Sequence, residues 1–154
     1  MIRKRSNKFK FKPFSEKQLK ILNWWQEGSP TSDRFFVVAD GSIRAGKTIS
    51  MALSFLLFVM RNFNQLDAAM AGKTIGALRR NLVNPLKQIG ETLGYEIIDH
   101  RSDNYLEVSK GNITNNIWLF GAKDEASQDL VQGMTLCALM LDKFCRANEK
   151  LLVL

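Results

Sequence analysis

Residues Gly41-Ser42-Ile43-Arg44-Ala45-Gly46-Lys47-Thr48 satisfy the pattern G-x-x-x-x-G-K-[ST] at every fixed position, and no other feature constrains the fold as tightly. The pattern works only as a loop between a buried strand and a helix. Gly41 and Gly46 permit backbone angles that other residues resist, so the loop can wrap a phosphate. The loop amides and the N-terminus of the following helix then point at the anion. Lys47 reaches the β- and γ-phosphates, and the Thr48 hydroxyl is available to Mg²⁺. The expected ligand is a nucleoside triphosphate, ATP first, with Mg²⁺. The expected binding residues are Gly41, Ser42, Ile43, Arg44, Ala45, Gly46, Lys47 and Thr48. A second Gly-Lys-Thr occurs at Gly72-Lys73-Thr74, but Asp67 stands where its first glycine belongs. We read it as a strand end without a phosphate role.

The surroundings match what the loop needs. Phe35 to Ala39 is a continuous apolar run, as expected of a strand buried on both faces. Lys47 to about Asn62 has a helical pattern that is apolar on most sides. Upstream, Ser15 followed by Gln18 is a capping-box pair, and Leu19, Ile21, Leu22, Trp24 and Trp25 fit a short amphipathic helix ended by Gly28-Ser29-Pro30. Downstream, Ala68 to Ile75 reads as a strand, and Gly76 to Leu93 as a helix kinked or interrupted at Pro85. Tyr105 to Val108 and Ile113 to Phe120 read as a hairpin turning at Lys110-Gly111-Asn112. Leu136 to Leu141 is another buried-strand run, closed by Asp142. Strands alternating with helices indicate an α/β layer fold.

A P-loop ATPase also needs an acidic residue at the end of a buried strand to help hold Mg²⁺. Asp142 supplies it. Hydrolysis further needs a group that orients or deprotonates water. In many such ATPases a glutamate follows the aspartate, whereas here the position is Lys143. An ammonium has no acceptor lone pair. Nucleotide binding is therefore expected and hydrolysis is in question.

Charge and length set further bounds. The 154 residues suit one ordinary domain, and the net charge is +7. Residues 1 to 12 hold Arg3, Lys4, Arg5, Lys8, Lys10 and Lys12 and no acidic residue, so they form a basic arm before a nearly neutral body. Such an arm is either a solvated, frayed terminus or a contact for phosphate. No apolar core follows it, so it does not read as a signal peptide. The longest apolar stretch, Ile49 to Met60, is shorter than the roughly 20 residues of a membrane span. Cys137 and Cys145 fit ordinary reduced thiols in an intracellular protein, and no zinc spacing occurs.

Taken together the residues resemble the N-terminal ATPase portion of a tailed-phage large terminase subunit, the motor that packages DNA into the phage head. The resemblance runs from about Phe14 to Asp142. It is carried by Phe14-Ser15-Glu16-Lys17-Gln18 with Trp24-Trp25, by the loop with its internal Arg44, by the stretch Gly72 to Asn81, and by Gln132-Gly133-Met134-Thr135. It implies a P-loop NTPase fold of the ASCE type, with a mainly parallel sheet that is incomplete here, flanking helices and a β-hairpin insertion. Residues 1–13 would be the arm, 14–142 a partial ATPase domain and 143–154 a tail unlike the family. It implies that Lys47, Arg44 and Asp142 are catalytic, with Arg44 acting on the γ-phosphate, Thr48 and Asp142 on the metal, and Gln18 near the adenine. Gln18 reads equally as the capping partner of Ser15, whereas for Arg44 a solvent-facing loop residue is the lesser alternative.

The resemblance further implies double-stranded DNA, the portal and the small terminase subunit as partners, an oligomer, and the cytoplasm of a bacterial host. The family's C-terminal nuclease domain is not found in this sequence. The departure at Lys143 suggests a frameshift or truncation near that codon, hence a sheet with a gap and marginal stability alone. Two other readings remain open, a non-catalytic nucleotide- or DNA-binding module and another small P-loop phosphotransferase.

Overall fold

The computed structural model describes residues 12–39, 46–123 and 132–142. The arm before residue 12, the loop residues 40–45 with Arg44, and the tail with Lys143 lie outside the described residues. The elements are α1 (Glu16–Leu22), α2 (Lys47–Asn62), β1 (Asp67–Gly72), α3 (Ile75–Leu78), a π-helical segment (Arg79–Val83), α4 (Asn84–Thr92), β2 (Glu96–His100), β3 (Tyr105–Lys110), β4 (Ile113–Gly121) and β5 (Leu139–Leu141).

The strands form one sheet in the order β2-β3-β4-β1-β5. β1 runs parallel to both of its neighbours, β4 and β5. β2, β3 and β4 form an antiparallel meander. The sheet is therefore mixed rather than mainly parallel. The physical reason lies in the hairpin, whose turn contains Gly111 at φ +59°. It does not hang off the sheet as an insertion. Its β4 strand pairs along the full length of β1, and β3 then carries β2 with it.

The expected strand at Phe35–Ala39 is the clearest correction. These residues have no regular structure, and Phe35, Phe36 and Val38 are exposed. An apolar run becomes a buried strand only when a neighbour takes up its amides and carbonyls. Among the described residues β5 is the last strand of the sheet on that side, and nothing pairs with the run.

Helix 76–93 is present but subdivided. The π-helical turn sits just ahead of Pro85. Proline lacks an N–H and its ring crowds the carbonyl four residues earlier, and an extra residue in the preceding turn relieves both. The helix starts are well made. Ser15 and Gln18 form the reciprocal capping box, with Gln18 N–H donating to Ser15 Oγ and Ser15 N–H donating to Gln18 Oε1 at 2.9 Å. Thr74 caps α3 by accepting from the Ala77 N–H.

One face of the sheet is covered by α2 and by the helix from α3 to α4. The core there joins Ala52, Leu56 and Val59 of α2 to Ala68 and Met70 of β1, Ile117 and Leu119 of β4, and Leu82 and Leu86. α1 is tied to α2 because Ser54 Oγ donates to the Leu22 carbonyl at 2.9 Å, and Trp24 and Trp25 both pack on Phe58. Buried Asn115 locks the α2–β1 connection to β4, donating to the Phe63 carbonyl at 2.9 Å and accepting from the Leu66 N–H at 3.1 Å. On the other face, Met134 and Leu136 pack over Ala69, Ala71 and Phe120. Cys137 is a free thiol at the edge of the α2-side core, and burial pushes its pKa up.

Leu56 is fully buried at the centre of the α2–sheet contact. Leu56→Ala is expected to lower stability by about 2–5 kcal/mol, read as a drop in the urea midpoint without a change in slope.

Candidate nucleotide-binding site

The site forms where α2 begins against the carboxyl ends of β1 and β5. Gly46 precedes the helix in the left-handed region, at φ +72°, and no side chain caps the first turn. The first amides of a helix have no acceptor within its own ladder, and an anion-binding helix start uses them. The helix ladder starts at once, with Ser50 N–H donating to the Gly46 carbonyl at 3.0 Å.

β5 delivers the carboxylate. It is short, but the parallel ladder with β1 extends past its end, where the Asp142 N–H donates to the Ala71 carbonyl at 2.8 Å. Alternation along the strand puts Met140 into the core under α2, and Asp142, two residues on, faces the same way. Its Oδ1 accepts from Thr48 Oγ1 at 3.4 Å. Two residues far apart in sequence, picked out by their motifs alone, are brought side by side.

Neighbouring ligands of a small octahedral cation with metal–oxygen distances of about 2.0–2.1 Å stand roughly 2.9 Å apart, so this hydroxyl and carboxylate oxygen would need to close by about half an ångström to share one. Among the described residues no group of three or more His, Cys, Asp or Glu could hold a metal. Mg²⁺ needs no such cage, since it is usually held by one or two carboxylates together with substrate phosphates. The donor set therefore fits Mg²⁺.

Gln18 is brought to the same place. While its Oε1 caps α1, its Nε2 lies against the loop end, where a Cβ added to Gly46 would stand only 2.6 Å away. Capping and proximity to the loop are compatible, because the two ends of the amide serve different neighbours. Lys47 opens α2 as expected. Gly41, Ser42, Ile43, Arg44 and Ala45 fall outside the described residues. Sequence reasoning missed Ala71, whose carbonyl anchors Asp142, because a backbone contact carries no side-chain signal.

Gly46 is constrained twice, by its positive φ and by the Gln18 amide. Gly46→Ala is expected to lower the melting temperature, with the left-handed backbone alone costing about 1–2 kcal/mol. Adding Gln18→Ala should restore only part of the loss, and thermal unfolding of the single and double variants measures both terms.

No protein-family model and no curated protein matches the chain. Solved structures do. The large terminase of a thermophilic bacteriophage matches with 50% identity and a TM-score of 0.88, over 92% of this chain and 35% of that one. The same terminase in complex with ADP matches with 49% identity and a TM-score of 0.84, over 91% of this chain and 34% of that one. Its complex with ATP-gamma-S matches with 46% identity and a TM-score of 0.83, over 91% and 33%. The fold also resembles the large terminase ATPase domain of Thermus phage P74-26, at 15% identity and a TM-score of 0.50. The chain spans about a third of the thermophilic-phage terminase. Agreement in sequence and fold along nearly all of its own length makes this chain a homologue of the corresponding part of a phage large terminase.

Proposed function

We propose that the chain is the ATP-binding part of a motor that drives double-stranded DNA into a phage prohead. The observation that supports this most directly is Thr48 lying against Asp142 at the start of α2. The homologous thermophilic-phage terminase has been solved with ADP and with ATP-gamma-S, which supports the same ligand class here.

In this reading Gly41 to Thr48 wrap the triphosphate, with loop amides and the first turn of α2 aimed at its oxygens. Lys47 neutralises the β- and γ-phosphates. Thr48 and Asp142 would hold Mg²⁺, which when bound draws charge from the phosphate oxygens. Arg44 stabilises charge on the γ-phosphate from within the loop. Gln18, fixed by its bond to Ser15, meets the adenine edge and so connects α1 to nucleotide occupancy. The portal, the small terminase subunit and further copies of the motor are the partners in this reading, acting in the cytoplasm of a bacterial host. Among the described residues no helix is long and apolar enough to cross a membrane.

Lys143 directly after Asp142 supports a second reading, in which the chain binds nucleotide without hydrolysing it. The two readings share the binding site and differ in turnover. Lys143→Glu would supply a carboxylate acceptor where the chain has an ammonium, and phosphate release by the two forms separates them.

Saturating MgATP is expected to raise the melting temperature of the full chain, since a ligand at about 100 times its Kd adds about 2.7 kcal/mol to the native state. Lys47→Ala should abolish most of that shift while leaving the ligand-free transition in place. A chain whose transition ignores MgATP would refute the nucleotide-binding reading.

A further inference from the structure

From Ile75 to Gln88 the helix running from α3 through the π turn to α4 contributes no carboxylate to its outer face. Its inner face is apolar, with Leu78, Leu82, Val83, Leu86 and Ile89 buried. Its outer face exposes Gly76, Arg80, Asn81, Asn84 and Gln88, with Lys87 half-exposed beside them and Lys73 exposed just before the helix. No acidic residue occurs between Asp67 and Glu91. Every charged group on this face is therefore a cation, and every other polar side chain on it is an amide able to donate.

Among the described residues no side chain holds these cations. None of the ion pairs or side-chain hydrogen bonds among the described residues uses Lys73, Arg80 or Lys87. The contrast with Arg79 is informative. Its guanidinium is committed inward, paired with the buried Asp99 at 3.2 Å and donating to Asn104 Oδ1 at 3.0 Å. Asp99, which faces this helix from the sheet, also takes Arg101 at 3.4 Å. It is thus already satisfied, and among the described residues Arg80 has no counter-charge.

We propose that this ridge, Arg80 with Asn84, Lys87 and Gln88, and with Lys73, to which the sequence alone assigns no phosphate role, contacts the phosphate backbone of double-stranded DNA. Arginine, lysine and side-chain amides are the usual phosphate-contacting groups, and they position a duplex without reading its sequence. From Ile75 to Gln88 the ridge is about 20 Å long at 1.5 Å per residue, which suits a polyanion lying along it and exceeds a single nucleotide's triphosphate. A duplex presents a negative charge every 1.7 Å or so of its axis, so the ridge meets a complementary field along its length.

The position of the ridge links it to the nucleotide site. Lys73 directly follows β1, and the Ala71 carbonyl near that end accepts from the Asp142 N–H at 2.8 Å. The strand that anchors the metal-site carboxylate thus leads straight into the ridge. A shift of Asp142 on nucleotide exchange would be felt at Lys73 through one hydrogen bond and two residues of chain. The inference rests on the DNA-packaging reading but not on nucleotide binding itself.

The test is binding of a short labelled duplex of arbitrary sequence to the full chain across a range of salt concentrations. It is repeated for Lys73→Ala/Arg80→Ala/Lys87→Ala and for Arg80→Lys. Wild type should bind with a steep salt dependence, and the triple variant should bind at least about tenfold more weakly, with the log–log slope reduced by about 2–3. Arg80→Lys, which keeps the charge, should stay close to wild type. The triple variant should keep the MgATP shift, and its melting curve separates a folding defect from a lost contact. Equal affinity and slope for wild type and triple variant would overturn the proposal. So would binding of polyglutamate with none of duplex, which would assign the ridge to an acidic protein. Loss of duplex binding with the MgATP shift intact tests the ridge alone, whereas absence of that shift in wild type bears on the nucleotide site instead.

Discussion

The parallel pairing of β5 with β1 is the contact on which the candidate nucleotide site depends. β5 is only Leu139–Leu141, and its ladder is short. Yet the extra bond from the Asp142 N–H to the Ala71 carbonyl sets the position of the carboxylate, and Met140 buried in the core sets which way it faces. β1 is in turn held on its other side by the full-length ladder to β4. α2 packs over β4 and β3 in the same core, so Thr48 and Asp142 meet because α2 is fixed to the sheet by core packing and Asp142 is fixed to β1 by backbone pairing. A change anywhere in that chain of contacts moves the hydroxyl relative to the carboxylate.

Parts of this were legible in the residues alone, and each had a local cause. The capping box at Ser15 and Gln18 is a pattern within a single turn. The hairpin turn at Gly111 follows from a glycine between two β-patterned runs. The helix after Lys47 follows from a loop motif that exists only in front of a helix. Asp142 was found because an aspartate at the end of an apolar run has a defined task once a P-loop is present. What was not legible depends on partners. Phe35–Ala39 has the composition of a buried strand, but composition cannot supply the neighbour whose amides and carbonyls would complete it. β2 carries Glu96, Asp99 and His100 within five residues, a polar pattern that becomes a strand only because β3 offers an edge. The π turn before Pro85 is a backbone solution to a proline inside a helix and has no composition of its own.

Gln18 shows how two competing readings of one residue can coexist. As a cap it is fixed by Ser15, and as a neighbour of Gly46 it touches the loop end. A side chain immobilised by one bond loses little further entropy when its other end meets a ligand. The aromatic contacts of Trp24 and Trp25 with Phe58 extend this link from α1 into the middle of α2. The start of α2 is therefore met from one side by Gln18 of α1 at Gly46 and from the other by Asp142 at Thr48, at the end of the β1–β5 ladder.

The central claim is that Thr48 and Asp142 together make a magnesium-dependent nucleotide site. Its most direct test is the affinity of the chain for a fluorescent ATP analogue with and without Mg²⁺, for wild type and for Asp142→Asn. The account predicts tighter binding with Mg²⁺ in wild type, and loss of that increment in Asp142→Asn with the Mg²⁺-free affinity little changed. An increment that survives in Asp142→Asn would contradict it.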